Sequence, residues 1–418
     1  MQEIESINRC CQNIAERESE IRAFVEETLD LDRIREQADA LLNHYPDVAE
    51  RPPLFGVLVG VKDIVHVDGF ATACGSSLPV ELLTGAEAPM VARLKRAGAI
   101  IAGKTITAEF ACSDPGPTRN PCNLEYSPGG SSSGSVAGVA ADFFDLGIGS
   151  QTGGSTVRPA AYCGVLGFKP SLGRLDSEGF FHYSKSMDHP GLFARDVSML
   201  ESAMQVLVDD WRPDAVCAQP RFAIPQGPYL EIPGEAARRQ FFEVIEYLRQ
   251  YGLHIESHDV LDDIQRQNED LDRLTAAEIY RVHAQWLEQY GDRYGPKLRE
   301  VLAQGAEVGD TELEALRATA RHKQEEMRDC MRDLGVDYWL SPAATDVAPQ
   351  GLEWTGDHRM NSIWTYTGLP AISLPSGVNH AGLPYGLQLV GRYRLDEELL
   401  ATAKSLQRML PDQSRVSD

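Results

Sequence analysis

Two glycine–serine stretches stand on either side of one apolar run, and they limit what this chain can become. Pro128–Ser135 reads Pro-Gly-Gly-Ser-Ser-Ser-Gly-Ser, and Gln151–Ser155 reads Gln-Thr-Gly-Gly-Ser. Between them, Phe143–Ile148 reads as a buried strand that ends at Gly149, just before the second serine loop. Val57–Val61 is another apolar, β-branched run, and Lys62 falls at its end. Met90–Ala97 has a helical pattern, Gly98 suits its C-cap, and Ile100-Ile101 opens the next strand. This alternation over residues 51–210 argues for an α/β architecture holding the catalytic core.

The flanks extend that architecture. Residues 1–50 read as helices, with Ile14, Ile21, Phe24 and Val25 at helical spacing and a second amphipathic piece over Ile34–Leu42. After Arg221 come a strand (Phe222–Ile224), a helix (Glu235–Tyr251) and a strand (Leu253–Ile255). Residues 261–333 are charged, helical and poor in β-branched residues, and are read as a helical insertion over one mouth of the site. Residues 337–395 return to the sheet, where Ala371–Leu374 and Gly386–Val390 are expected to pair near its end. Neither a repeat nor a Pro/Ser-rich linker divides the chain, so residues 1–418 are expected to form one domain.

Composition removes several function classes. The 39 basic and 62 acidic residues give a net charge of −23. That excludes the basic face nucleic acid requires and is otherwise a solubility charge. The N-terminus lacks a basic segment followed by an apolar one, and no apolar run reaches the roughly 20 residues that span a bilayer. The eight cysteines form neither a C-x-x-C pair nor zinc-like spacing, so free thiols and a cytoplasmic location are expected, without metal or cofactor. Cys163 is read as a small buried apolar residue.

The remaining chemistry centres on Lys62, Ser131 and Ser155. A serine hydroxyl is a weak nucleophile unless a base lies within hydrogen-bond reach. None of the ten histidines falls in a recognisable triad motif, and His66, His182 and His189, the nearest to the motifs, are read as satisfied or surface residues. Lysine can replace histidine if burial favours its neutral amine. The apolar flanks of Lys62 (Leu58, Val59, Val61 and Ile64) suit such burial, and strand alternation turns Asp63 away from it. In the second loop, the backbone N–H groups around Thr152, Gly153 and Gly154 can converge on a tetrahedral oxyanion, with no Cβ in the way at the glycines. Arg158 follows Ser155 by one helical turn and is either a clamp for a substrate carboxylate or a structural arginine. Arg174 carries the same ambiguity, with the structural role favoured.

Several stretches, in order, carry a family resemblance. They are Pro53–Asp63, Arg96–Ala99 leading to Gly103–Thr105, Glu109–Ala111, Asn120-Pro121, the two serine motifs, Arg158–Ala160, Gly164–Pro170 and Gly368–Pro375. Together they resemble the amidase-signature hydrolases from about residue 10 to about residue 405. The resemblance implies a single large mixed β-sheet surrounded by helices. It also implies a Ser-Ser-Lys triad in which Ser155 is the nucleophile, Ser131 relays its proton after an unusual cis peptide at Gly130, and neutral Lys62 is the base. The loop 152–154 is implied as the oxyanion hole, and Gly130, Gln151 and Arg158 as substrate-binding residues. The partner would be a small amide, cleaved through an acyl-enzyme, with a homodimer as a candidate assembly.

Gln151, where many relatives carry aspartate, the serines at 131–133 and Arg158–Gly164 are most similar to the malonamidase branch, which acts on small carboxylated amides. Leu274–Glu278 departs from that branch, which has a substrate-touching glutamine there. The rivals are a glutaminase subunit of a tRNA-dependent amidotransferase and a catalytically silent amidase-like binding protein. The first usually keeps the aspartate that Gln151 replaces; the second has no use for Lys62, Ser131 and Ser155 together. A nucleotide-binding reading of Gly129–Gly134 fails because the Gly-Lys-Ser/Thr ending of a P-loop is missing.

Overall fold

A computed structural model describes residues 2–112 and 114–410, and the side chains of 5–112 and 114–410. Ten strands form one mixed sheet: β1 Leu58–Lys62, β2 Ile100–Thr105, β3 Leu146–Gln151, β4 Leu166–Lys169, β5 His189–Ala194, β6 Phe222–Gln226, β7 Ile255–Asp259, β8 Tyr338–Pro342, β9 Ala371–Val378 and β10 Pro384–Gly391. Their spatial order is β2-β1-β3-β5-β4-β9-β10-β8-β6-β7. Strand β1 runs parallel to β2 and β3, as β6 does to β7 and β8, while the intervening pairs are antiparallel.

Among the described residues, twelve α-helices accompany the sheet. They are α1 Gln2–Ile21, α2 Leu31–His44, α3 Pro89–Arg96, α4 Ser133–Ala140, α5 Val157–Cys163, α6 Val197–Leu207, α7 Glu235–Gln250, α8 Ile264–Tyr290, α9 Pro296–Ala306, α10 Asp310–Leu334, α11 Arg359–Tyr366 and α12 Asp396–Met409. None of these is long and apolar enough to cross a membrane.

The period-two pattern of β1 sorts the core into two clusters. Val59 and Val61 pack with Ile101, Leu146 and Ile148, whereas Leu58 packs with Ile100, Val136, Phe143, Phe144 and the N-terminal helices. Lys62 continues the parity of Leu58, toward the helix that begins at Ser133. Because β1 and β3 are parallel neighbours, their C-terminal ends emerge side by side, where sheets of this kind place their ligands.

Three expectations shift. The strand expected from Phe143 starts instead at Leu146, because Asp142 adopts a positive φ and Phe143 N–H returns to the Gly138 carbonyl at 2.8 Å to close α4. The Asp145 carboxylate then accepts the Leu58 N–H at 3.0 Å, tying that corner to β1. Strands β9 and β10 do pair antiparallel, but in the middle of the sheet; its edges are β2 and β7. The expected strand at Leu253 begins at Ile255.

Candidate active site

At the end of β1, the Lys62 side chain is wholly buried and surrounded by hydroxyls. Its Nζ donates to Ser131 Oγ at 2.7 Å and to Ser150 Oγ at 2.8 Å. No carboxylate lies within ion-pair distance of it among the described residues. Asp63 points elsewhere, to the equally buried Lys104 Nζ at 2.8 Å. Without an anion to hold the charge, desolvation lowers the Lys62 pKa to about 7, against opposition from Asp188 and Cys74. Such a lysine exists in both protonation states near neutral pH.

Ser131 sits immediately before α4, and the Gly130–Ser131 peptide bond is cis. Neighbouring Ser132 ties this loop to β3: its Oγ donates to the Ser150 carbonyl at 3.2 Å and accepts the Ser150 N–H at 3.2 Å. Arg158 Nη2 donates to the carbonyl of Gly130 at 2.6 Å, and Nη1 to that of Gly356 at 2.5 Å. The cis peptide is thereby held from both sides.

The chain leaves β3 through Thr152–Ser155 and enters α5. The buried Gln151 amide makes that turn: its Oε1 accepts the N–H groups of Thr156 and Val157, both at 3.0 Å, and its Nε2 donates to Thr365 Oγ1 at 3.1 Å. The backbone N–H groups of Thr152, Gly153, Gly154 and Ser155 have no protein acceptor among the described residues. A Cβ at Gly154 would meet Asn361 Oδ1 at 2.5 Å, closer than real contacts allow, and one at Gly153 would press on the His358 ring at 3.2 Å. Thr152 Oγ1 donates to the Asp188 carboxylate, which also faces His182 Nδ1 at 3.2 Å.

Thr152–Ser155 and Arg158 open onto a cavity of about 860 Å³. Lys62 and Ser131, 0% and 1% exposed, are not part of its lining. Arg158 is buried, has no carboxylate partner within ion-pair distance among the described residues, and its Nε–H is unpartnered. The rest of the cavity comes from α8 (Asn268, Glu269, Asp272 and Thr275 among others), from Pro228–Ile232 and from Trp354–Arg359.

The expected residues therefore divide. Lys62 and Ser131 meet, and Ser155, Arg158 and the loop 152–154 line the cavity. Gln151 and Gly130, expected at the substrate, do not line it: Gln151 is occupied in capping α5, and the Gly130 carbonyl by Arg158. Arg174 is structural, pairing with Asp210 at 2.6 Å and Glu397 at 2.7 Å. His66 Nδ1 meets Thr72 Oγ1 at 3.1 Å and His189 Nδ1 the Met187 carbonyl at 2.7 Å, whereas the buried His189 Nε2 has no hydrogen-bond partner among the described residues.

Several residues at the site escaped sequence reading. Ser150 gives no signal beyond standing one place before Gln151, on the opposite side of the strand. His358 belongs to no motif, yet its ring packs on Gly153 and Gly154, with Nδ1 on Ser362 Oγ at 2.6 Å and Nε2 4.0 Å from Asp272. Of the stretch 274–278, Thr275 reaches the cavity, whereas buried Glu278 binds Ser184 Oγ at 2.6 Å and Arg317 Nη2 at 2.6 Å.

A family model described as Amidase matches residues 5–400. A glutamyl-tRNA(Gln) amidotransferase subunit from Lachnoclostridium phytofermentans is 31% identical, over 85% of this chain and 83% of its own. Its counterpart from Synechococcus sp. (strain CC9311), which bears the same name, is 30% identical, over 92% and 88%. Among solved structures, a crystal structure of an amidase superposes with a TM-score of 0.88 at 28% identity, covering 97% of this chain and 96% of the other. A chain from a vestigial protein complex bearing on the origins of an s-triazine catabolic enzyme gives 0.87 at 25% identity, covering 99% and 97%. The ten-stranded mixed sheet with its helices is thus the fold these amidase structures share.

Proposed function

Because the chain belongs to the amidase family, hydrolases of C–N amide bonds, we propose that it cleaves a small linear amide through an acyl-enzyme on Ser155. The observation that carries this reading is the buried, near-neutral Lys62 hydrogen-bonded to Ser131, in a chain whose Ser155 lines the cavity. Ser155 Oγ attacks the amide carbonyl and passes its proton to Ser131, whose own proton moves to the neutral Lys62 amine. Ser150 holds that amine from its other side. The carbonyl oxygen, now negative, is received by the unpartnered N–H groups of 152–155. The relay then reverses: Lys62 returns a proton through Ser131 to the leaving nitrogen. Water attacks the ester by the same route and frees Ser155.

A carboxylated, malonamate-like amide is the substrate form we favour. What supports this form is that Arg158 lines the cavity as a buried guanidinium with no carboxylate partner among the described residues. The chain is read as one amidase domain acting in the cytoplasm, with a homodimer as the candidate assembly. A second reading follows from the relatives' names: a glutaminase subunit that works only with partner subunits.

Ammonia release from a panel of small amides, half of them carboxylated, tests both readings, with fluorophosphonate labelling of Ser155 alongside. Turnover by the isolated chain with a preference for carboxylated amides supports the first. Turnover confined to glutamine in the presence of added partners would replace it with the second. An unlabelled Ser155 and no turnover under either condition would sink both and leave a silent binding protein.

A further inference from the structure

The loop 152–155 rests on a helix that no motif marks. From the N-cap of α11 onward, His358, Asn361 and Thr365 recur at three- and four-residue spacing, and all three meet the two glycines of the loop. Asn361 is fixed from beneath: its Nδ2 donates to the Ala343 carbonyl and to Gln388 Oε1, both at 2.9 Å. Its Oδ1 stands against Gly154, and the His358 ring against Gly153. With no side chain on the loop to keep them apart, Thr365, 0% exposed, reaches the backbone: its Oγ1 donates to the Gly153 carbonyl at 3.0 Å.

The direction of that bond is fixed at both ends. A carbonyl only accepts, so the bond takes the single proton of the Thr365 hydroxyl. The same oxygen accepts from Gln151 Nε2 at 3.1 Å, while Gln151 Oε1 accepts the N–H groups of Thr156 and Val157. Backbone donors at one end and a backbone acceptor at the other leave one orientation for the amide and one for the hydroxyl. A threonine inside a helix can return its hydroxyl to the carbonyl four residues back, as Thr319 does to Ala315 at 3.0 Å. Thr365 sends its proton out of the helix instead.

The 153–154 peptide is trans, and a planar trans peptide carries its C=O and N–H on opposite edges. Holding the Gly153 carbonyl on Thr365 therefore aims the Gly154 N–H away from α11. Between two glycines, sterics alone do little to keep this peptide from turning over. Turned over, it would present a carbonyl oxygen where a negative oxygen has to form.

We propose that Thr365 is a positioning residue for the oxyanion hole: its hydroxyl locks the Gly153–Gly154 peptide with the N–H free to receive the oxyanion. The inference rests on Ser155 being the nucleophile and on the loop 152–155 receiving the carbonyl oxygen.

Thr365→Val keeps the shape of the side chain and removes the donor, whereas Thr365→Ser keeps the donor. The readouts are the rate of Ser155 labelling by a rhodamine-tagged fluorophosphonate, whose phosphoryl oxygen takes the place of the carbonyl oxygen, and ammonia release from malonamate. In Thr365→Val the labelling rate constant and kcat should both fall by about tenfold to a hundredfold, less than the full loss of an oxyanion donor. KM should stay within about threefold of native, since the lost interaction belongs to the transition state. The pH dependence conferred by Lys62 should be unchanged. Thr365→Ser should bring both rates back to within about threefold of native. Thr365→Ala repeats the comparison if the valine variant does not fold, and the labelling rates decide alone if malonamate is not turned over. Native rates in Thr365→Val, a loss carried by KM alone, or a Thr365→Ser as slow as Thr365→Val overturns the lock and spares the amidase. A native Ser155 left unlabelled, with malonamate untouched, removes the amidase reading and this inference with it.

Discussion

The cavity has two walls of opposite construction. The wall carrying Ser155 is made from strand ends and tight loops within residues 62–158. Its reacting groups are held by backbone: Ser131 by a cis peptide that Arg158 clamps, and the 152–155 loop by the Gln151 cap. The α8 wall is assembled from segments far apart in sequence, and its acids project from one helix with few hydrogen bonds to fix them. Groups that must meet a transition state need a fixed position, because small displacements are expensive there. Groups that select one substrate from another act through longer-range charge and tolerate more freedom. The same contrast recurs between two buried lysines on adjacent strands. Lys104 meets a carboxylate and forms an ion pair, while Lys62 meets only hydroxyls and is poised to lose its proton.

The largest expected effect falls on the rigid wall. Ser155→Ala should cut kcat by about 10⁴-fold or more and abolish fluorophosphonate labelling. Wild-type-like turnover would move the nucleophile elsewhere and dissolve the contrast. Next comes Lys62→Met, expected to cost about 10³-fold as a lost general base. Since the neutral amine is the working form, native kcat/KM should climb tenfold per pH unit below about 7 and level off above it, and this limb should vanish in the variant. A native profile flat between pH 5 and 8 would remove Lys62 from the proton relay.

Smaller effects sharpen the distinction. Lys104→Met leaves the buried Asp63 carboxylate unpaired, which costs about 3–5 kcal/mol of stability. Denaturant melts should show that loss, whereas a variant as stable as the parent would mean that the pair is not needed. Asp188→Asn removes an anion that raises the Lys62 pKa, so the acid limb of the rate profile should shift to lower pH; a shift upward would contradict the assigned cause.

The two walls also differ in how far sequence reading reaches. Lys62, Ser131 and Ser155 are legible because each sits in a short stretch whose glycines and apolar flanks dictate a local shape. The strands bearing them could be read from the same runs, apart from the start of β3, where Asp142 closes a helix rather than opening a strand. Glu269 and Asp272 carry no such signal. A charged residue on a helix is ordinarily a solvated one, and only packing reveals which face meets the cavity. His358 and Ser150 were hidden for a related reason: one belongs to no motif, and the other differs from its neighbour only in which side of the strand it occupies. The part Gln151 plays in the turn was hidden too, because nothing in its local sequence shows that its amide oxygen accepts two backbone donors of α5.

That amide has a consequence for the electrostatics of the turn. A carboxylate capping the same two N–H groups would set a full negative charge next to the place where an oxyanion forms, and would release its grip as it took up a proton in acid. Glutamine holds the bend with a dipole alone. The geometry beneath Ser155 is thereby uncoupled from acidity, so the proton count of the medium is registered by the lysine and not by the scaffold that aims the serine.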